Sequence, residues 1–434
     1  MDTTEGTDAP ENIISSDTKN DVRRHNKRLN LFFVYLLLIG ITLPPELAFF
    51  LGPMHLTPYR AVLVCAIIPC FIRLLSGRAG RLHTVDVLLA AHCLWAGLAL
   101  IHAHGLDKSW EAAGIYIVEA FGSYLIARCY IRSAADSQAV TRFIFVVVLI
   151  LLPLATIESL IGFNLLRDPF HTLRGGESFV HIEGRLGLER ARTSFEHPIL
   201  YGVFAASSFA SVFYVLARPQ YIFTRVWRTM VVAAATFFSL STGPLLALFV
   251  QGGLIAWGRL MRNVPRRWVL LAGSIAMMWT VVALLSNRDP IRVFIWYFTF
   301  SRQSAYWRLN IWEYGSDEVV RNPVFGIGFA DWQRPSWMAS ASVDNFWLLE
   351  AMRFGLPGLV LLIAAITLVS VRLGRLKTTA RDVHQCRVAY LVTITALAVA
   401  GATVHFWGAM FPFFFFVLGS GVWLMSAPKG NSGG

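Results

Sequence analysis

The sequence has few charged residues and lacks the short ligand spacings that usually mark metal-binding proteins. Asp, Glu, Lys and Arg make up 15% of its 434 residues, whereas 56% are hydrophobic. No soluble domain needs so large an apolar fraction. There is no His-x-x-x-His and no Cys-x-x-Cys segment, so the sequence offers no credible metal site. We therefore expect neither a metal nor another cofactor.

Cysteine is also scarce, and no apolar stretch opens the chain. The five cysteines are an odd number and lie in or beside apolar runs, so we expect no disulfide framework. Residues 1–30 are polar and end in the basic segment TKNDVRRHNKR, which argues against a cleaved signal peptide. We expect a disordered cytoplasmic tail there and a second short tail at 427–434.

Long apolar runs are abundant, and runs of about 18 or more residues are long enough to cross a bilayer. Within lipid such segments must be helical, because every backbone N–H and C=O has to be paired inside the segment. The sequence therefore predicts an all-α, polytopic integral membrane protein. We predict 12 transmembrane helices at 31–51, 58–75, 84–103, 112–130, 143–163, 198–217, 229–241, 243–258, 268–287, 346–370, 387–406 and 410–426.

The arginines predict the orientation of these helices. With the N-terminus in the cytoplasm, most basic residues fall in short inside segments such as 73–81 and 259–267, as the positive-inside rule requires. Both termini are then cytoplasmic, and one transmembrane domain, 31–426, carries two long outside loops at 164–197 and 288–345. We expect a multi-pass protein of the bacterial inner membrane with periplasmic loops. The net charge of +12 is thus explained by topology and indicates no nucleic acid partner.

Residues 229–258 contain one ambiguity, because thirty apolar residues also suit a single tilted helix. Basic segments flank the stretch on both sides and both are expected in the cytoplasm, so an even number of crossings is required. The sequence STGP at 241–244 supplies a glycine and a proline for a break. We therefore predict a tight hairpin of two short helices.

Charged residues crowd the end of the first outside loop, in RLGLERARTSFEHP at 185–198. Arginine suits phosphate binding, because its guanidinium is a planar fork of donors that stays charged. A lipid diphosphate lies at this membrane depth, and charge develops on it when the bond to its sugar breaks. Interfacial anchoring and loop ion pairs are the alternative, and it stays open for Arg185, Arg190 and Arg302.

Three pieces of the sequence, in this order, resemble the bacterial O-antigen polymerase and O-antigen ligase superfamily (Wzy-like polymerases and the ligases). The family pattern has an Arg before hP-x-x-x-G, then R-x-x-x-W with nP-x-x-GiG, then HN-x-x-L with GlxGl. The matching residues are Arg192, Ser194, His197, Pro198 and Gly202; then Arg308, Trp312, Asn322, Pro323, Gly326 and Gly328; then Asp344, Asn345, Leu348, Gly355, Pro357 and Gly358. The resemblance spans about residues 140–426.

The resemblance implies transfer of a glycan from an undecaprenyl-pyrophosphate carrier, without a nucleotide sugar and without a metal. It implies that Arg192 and Arg308 hold the pyrophosphate and that the residue at 344 activates the acceptor hydroxyl. The acceptor is a glycan or lipid A core, and a chain-length regulator is a further candidate partner. Beside these catalytic candidates we predict substrate-binding roles for Arg190, His197, Trp312, Asn345 and Arg302.

Two positions depart from the family pattern. Asp344 stands where the family has histidine; an aspartate can be a general base or can only orient the acceptor. The hairpin break is STGP here, where family members often have S-R-G, so an expected arginine is missing. These departures leave the reaction class standing and weaken the assignment of the base.

Three functions remain open from the sequence. Polymerisation of O-antigen or exopolysaccharide repeat units is the leading interpretation, and the second is a ligase that moves finished glycan onto a lipid A core. The third is a transporter or flippase of lipid-linked oligosaccharide, since twelve helices with both ends inside and SGRAGR at 76–81 are also found in transporters. Transporters, however, bind substrate at the bilayer midplane on repeated, broken helices, whereas the charges here lie in outside loops.

Overall fold

The structure is a computed structural model and is predominantly helical. It describes residues 31–51, 54–173, 183–216, 221–287, 290–297 and 302–426. The predicted tails lie outside these residues, and so does the side chain of Arg302.

Fifteen helices and one small β-hairpin form the described chain. The helices are α1 (Phe32–Thr42), α2 (Pro58–Leu75), α3 (Thr84–His104), α4 (Leu106–Tyr130, with a π-helical turn at Val118–Gly122), α5 (Ala134–Ile161), α6 (Asp168–Leu173), α7 (Pro198–Val215), α8 (Ile222–Phe238), α9 (Thr242–Leu260), α10 (Arg267–Leu285), α11 (Pro290–Tyr297), α12 (Arg302–Arg321), α13 (Phe346–Arg375), α14 (Arg381–Gly401) and α15 (Met410–Ser420). Short 3-10 turns occupy Pro45–Leu47 and Val422–Ser426, and antiparallel strands β1 (Phe49–Leu51) and β2 (Met54–Leu56) form the hairpin.

Each predicted membrane span overlaps a helix of the described chain, although the first, 31–51, is α-helical only over Phe32–Thr42 and ends in β1. Nine helices in the described ranges are long and apolar enough to cross a bilayer: α2, α3, α4, α5, α7, α9, α10, α13 and α14. The prediction of a helical, polytopic membrane protein is therefore confirmed. The number of crossings and the side on which each terminus lies stay predictions.

The hairpin predicted for residues 229–258 is present, although its turn is placed differently. Arg225 near the start of α8 and Arg259 near the end of α9 both lie over the ring of Phe213, at 5.0 and 4.6 Å. These two helix ends therefore share one side of the bundle. The turn occupies residues 239–241 and not 243–244, and Leu240 has φ 44°.

The predicted outside segments are not plain loops, because they contain α6, α11 and α12. The long helix α12 packs directly on the start of α13. A Cβ at Gly315 would lie 2.9 Å from Leu348 and 3.2 Å from Met352, so glycine at this position lets the two helices approach closely.

The second and third motif pieces contact each other at a break in α13. Gly355 has φ +70°, which interrupts the helical hydrogen bonds around it and favours glycine. The freed groups pair with the loop after α12: the Leu356 N–H donates to the Pro323 carbonyl at 2.8 Å. In return, the Ile327 N–H donates to the Met352 carbonyl at 2.8 Å. This interlock fixes the first half of α13 against α12.

Candidate active site

A cavity of about 470 Å³ lies where the predicted outside segments meet. Its wall combines residues from the segment before α7, the turn between α8 and α9, helix α12, the segment before α13 and the segment after α14. The wall includes the side chains of Arg185, Arg190, His197, Arg308, Asp344 and Trp407. The cavity is thus assembled from all three motif pieces.

A close helix contact brings the first motif piece to the α8–α9 turn. A Cβ at Gly202 in α7 would lie 2.7 Å from Pro244 and even closer to Ser239. Glycine therefore lets α7 pack directly on the turn. The same contact carries His197, which immediately precedes α7, to the edge of the cavity.

A tight turn folds the preceding segment so that two of its arginines reach the same place. Arg185 and Leu188 exchange two backbone hydrogen bonds of 2.8 and 3.0 Å. Leu186 and Gly187 between them have φ 58° and 76°, as the two central residues of a type I′ hairpin require. The chain doubles back here, so that Arg185 and Arg190 both point at the α8–α9 turn.

The α8–α9 turn holds both guanidiniums. Arg185 Nη1 donates to the Leu240 carbonyl at 2.9 Å, and Arg190 Nη2 donates to the Ser241 hydroxyl at 2.8 Å. The Nε of Arg190 is buried and has no hydrogen-bond partner among the described residues. This N–H is therefore a donor that a bound anion can satisfy.

Positive charge is in excess in this cavity. Burial and then the nearby Arg185 and Arg308 guanidiniums lower the pKa of Arg190 to about 10, while Asp344 opposes the shift. Burial also lowers the pKa of Arg308, against the effect of Asp344. Three cations, which all stay charged near neutral pH, thus share the space with the carboxylate of Asp344. Such a site favours an anion that carries more than one charge.

His197 is a neutral hydrogen-bond donor in this arrangement. Its Nδ1 accepts the N–H of Ile199 at 3.2 Å, which caps α7. The proton of the neutral ring is therefore on Nε2. Burial and the nearby Arg190, Arg192 and Arg185 lower the pKa of His197 to about 4. The imidazole is uncharged near neutral pH and has one N–H free of the cap.

Asp344 is half-buried and held by the start of α13. The next residue, Asn345, caps this helix, since its side-chain oxygen accepts the Leu348 N–H at 3.1 Å. The carboxylate of Asp344 accepts a long hydrogen bond of 3.3 Å from the Ser342 hydroxyl. Asp344 lines the cavity, where a carboxylate oxygen can accept a hydrogen bond from a hydroxyl group.

The structure does not bring Arg192 into the cavity wall. Its Nε lies 3.8 Å from the Glu158 carboxylate, and its Nη2 lies 4.0 Å from Asp168. Glu158 also accepts the backbone N–H of Thr193 at 2.8 Å. Arg192 is thus tied to the end of α5, and its predicted contact with the pyrophosphate stays a prediction.

Two other predicted substrate-binding residues, Trp312 and Asn345, do not line this cavity. Trp312 and Asn345 line a separate, apolar cavity of about 640 Å³, and the side chain of Arg302 is outside the described residues. We call the cavity of about 470 Å³ the cationic cavity. It brings together four of the predicted residues: Arg190, His197, Arg308 and Asp344. No group of three His, Cys, Asp or Glu side chains in the described ranges is arranged to hold a metal.

The residues of the cavity wall that were not selected from the sequence include Arg185, Ser241, Trp307 and Trp407. Arg185 carried a signal, since it lies in the same charged segment as Arg190, and Ser241 belongs to the STGP break. Ser241 and Thr242 line the cavity at the break, where the family often has arginine. Arg185 and Arg190 reach this break from a different segment, so that cationic charge is still present there.

Comparison with known proteins agrees with this architecture. Residues 227–363 match the family model described as O-antigen ligase (Wzy_C). The matched range begins in α8 and ends in α13, and it contains Arg308 and Asp344, whereas the first motif piece precedes it. No curated protein matches the chain. The family match confirms the resemblance of this chain to the O-antigen polymerase and ligase superfamily of membrane proteins, which act in glycan transfer during polysaccharide assembly.

Proposed function

We propose that the protein transfers glycan from an undecaprenyl-pyrophosphate carrier at the periplasmic face of the inner membrane. The proposed reaction polymerises O-antigen or exopolysaccharide repeat units. One observation carries the proposal: Arg185, Arg190 and Arg308 share one cavity with Asp344 at the predicted membrane interface.

The diphosphate of the donor binds between the arginines. Arg190 and Arg308 come from different segments of the chain, so their guanidiniums grip the diphosphate from two sides, and Arg185 adds a third charge. Arginine forms paired, charge-assisted hydrogen bonds with phosphate oxygens. The Nε2–H of neutral His197 donates a further hydrogen bond to the same anion.

The acceptor attacks opposite to the diphosphate. A hydroxyl oxygen of the second lipid-linked repeat unit bonds to the anomeric carbon, and the bond from that carbon to the diphosphate oxygen breaks. The electron pair leaves with the diphosphate, where the arginines stabilise the developing charge. The hydroxyl proton passes to the Asp344 carboxylate, which acts as general base. Attack from the opposite face inverts the anomeric carbon.

Arg192 contributes indirectly in this proposal. Its ion pair with Glu158 ties the segment before α7 to α5, and this segment carries both Arg190 and His197. Arg192 thereby holds the donor-binding side chains in place, and its charge helps to keep His197 neutral.

Ligation of finished glycan to a lipid A core is the second candidate function. The matching family model is described as O-antigen ligase, and the same donor site serves both reactions. The two functions differ in the acceptor hydroxyl that reaches Asp344.

One assay separates these functions. Purified protein is incubated with the lipid-linked repeat unit of its own host, and the products are resolved on a gel. A ladder of longer glycans that is absent with Asp344→Asn supports the polymerase. Transfer only after lipid A core is added supports the ligase. No transfer in either assay by folded protein contradicts both and favours the transporter.

A further inference from the structure

The second cavity, about 640 Å³ in volume, is apolar and lies within the helical bundle. One wall is formed by α13 and α14, through residues such as Ile366, Thr395 and Ala398. Trp312 and Asn345 line the end of the cavity nearest the start of α13. Its volume falls within the range of about 300–1,000 Å³ that is typical of ligand pockets.

This cavity and the cationic cavity share two structural elements. Trp312 and Arg308 lie one turn apart on α12, so they project from neighbouring positions on the helix surface. Asn345 and Asp344 are consecutive at the start of α13. Each pair has one member in each cavity, so the two cavities adjoin along α12 and the start of α13.

The apolar cavity extends from the predicted interface toward the middle of the bilayer. Its upper end lies at Ala402, just beyond α14, where the Phe346 N–H bonds the Val404 carbonyl at 3.2 Å. Its lining continues along α14 to Ile394, about 12 Å deeper at 1.5 Å per residue. The cavity therefore adjoins the cationic cavity at one end, and the rest of it is an apolar space that extends along α14.

The outer wall of the cavity is open toward lipid. Trp279 of α10 lines this side and is 49% exposed. None of the residues of α10, all of which are described, is buried against the bundle. A chain-like lipid can thus enter sideways between α10 and the α13–α14 pair.

We propose that this cavity, the tail groove, binds the head-proximal part of the polyisoprenoid tail of the donor. The proposal rests on the proposed function, because the diphosphate in the cationic cavity fixes where the tail begins. One amphiphilic molecule then occupies both cavities: its anionic head lies at Arg308 and Asp344, and its apolar tail passes Trp312 and Asn345. The rest of a long tail continues past α10 into the bilayer.

Photolabelling tests this placement directly. The probe is an undecaprenyl diphosphate analogue with a diazirine in one of its first isoprene units, added to Asp344→Asn protein in lipid nanodiscs. We expect labelled peptides from 366–370 and 394–402, with labelling competed by unlabelled undecaprenyl diphosphate. Undecaprenol and phosphatidylglycerol should not compete. Labelling of other helices, or equal competition by phosphatidylglycerol, overturns the proposal and identifies the groove as a site for bulk lipid.

A variant that fills the groove gives a second test. Thr395 lines the groove and is exposed, so Thr395→Phe should insert without disturbing the core. Val146→Phe is the matched control, since Val146 has the shape of threonine and is 43% exposed on α5, outside the groove lining. We expect Thr395→Phe to raise the KM for the donor about tenfold at similar kcat, equivalent to about 1.4 kcal/mol. Equal KM values for both variants overturn the tail groove.

The two tests separate failure of the groove from failure of the proposed function. Competed labelling at 366–370 and 394–402 in a protein that transfers no glycan supports the groove and contradicts the transferase. Glycan transfer by a protein that is labelled elsewhere supports the transferase and contradicts the groove.

Discussion

Arg190 and Ser241 are joined by a hydrogen bond of 2.8 Å, which links the charged segment before α7 to the turn between α8 and α9. The remaining buried Nε–H of Arg190 has no partner in the described part of the chain. One side chain therefore anchors the cavity wall and still has a donor for an anion.

The first prediction concerns Arg190 itself. We expect Arg190→Ala to lower the rate of glycan transfer by about 10²–10³, the usual cost of removing one donor to developing charge. Arg190→Lys should recover little, because lysine lacks the fork of donors. Transfer rates at saturating donor check this, with exposed Arg262 changed to Ala as the control for loss of positive charge. Unchanged rates in both Arg190 variants would contradict the diphosphate site.

The second prediction separates Arg192 from Arg190. Arg192→Ala leaves the buried carboxylate of Glu158 without its ion-pair partner, so we expect about 1–3 kcal/mol of lost stability. Transfer at low temperature should fall much less than in Arg190→Ala. Thermal unfolding in detergent and donor KM are the measurements. Full stability with lost transfer would instead establish Arg192 as a direct pyrophosphate ligand, as the sequence motif implies.

The third prediction is a pH dependence that arises from His197. Its pKa of about 4 lies below the ordinary value of 6.5. Between about pH 4 and pH 6.5 the histidine is therefore protonated in the unfolded state and neutral in the folded state. Stability should therefore fall as the pH decreases from about 6.5 to about 4. The slope of unfolding free energy against pH should be smaller in His197→Gln. The same slope in both proteins would show that His197 is not held neutral.

The fourth prediction concerns Asp344, the proposed general base. Asp344→Asn keeps the size and removes the base, so we expect loss of transfer with donor binding retained. Asp344→His restores the residue type of the family pattern, and we expect partial activity that rises through the titration range of a histidine. Single-turnover rates across pH check both variants. Wild-type rates in Asp344→Asn would reduce Asp344 to a residue that only orients the acceptor.

The fifth prediction concerns a buried network next to the site. The Tyr116 hydroxyl donates to Glu350 at 2.9 Å and contacts the His92 ring nitrogen at 2.8 Å. Glu350 lies on α13, six positions after Asp344, so the network ties this part of α13 to α3 and α4. We expect Glu350→Ala to cost about 1–3 kcal/mol of stability and Glu350→Gln, which keeps an acceptor, to cost less. Unfolding midpoints of the two variants provide the comparison.

The apolar runs predicted the helices well, because bilayer-spanning segments must satisfy their backbone internally and so leave a continuous sequence signal. The break after α8 was also predictable, although its turn lies at 239–241 and not at Gly243 and Pro244. A proline is tolerated in the first turn of a helix, where its missing N–H has no helical partner. The sequence signal for the break therefore lies just inside α9.

The candidate site was predictable only in part. Arg308 and Asp344 were chosen from the motif resemblance, and the cavity contains both. Arg192 and Arg190 are two positions apart in a segment of irregular backbone, where no periodicity indicates which side chain faces the cavity. Trp407 comes from a distant part of the chain, and only the packing of α14 and α15 brings it beside His197, with ring centres 5.5 Å apart. Such long-range contacts leave no local trace in sequence.

The interlock between the α12–α13 loop and the break at Gly355 has a mechanical consequence. Arg308 on α12 and Asp344 before α13 are held by one continuous segment, whose two halves are bonded to each other through Pro323, Met352 and their neighbours. The proposed diphosphate ligand Arg308 and the proposed general base Asp344 are therefore held in one connected segment. Exchange of residues 302–358 between related proteins should therefore transfer the relative geometry of Arg308 and Asp344 together. Arg185 and Arg190 of the preceding segment would remain those of the recipient protein.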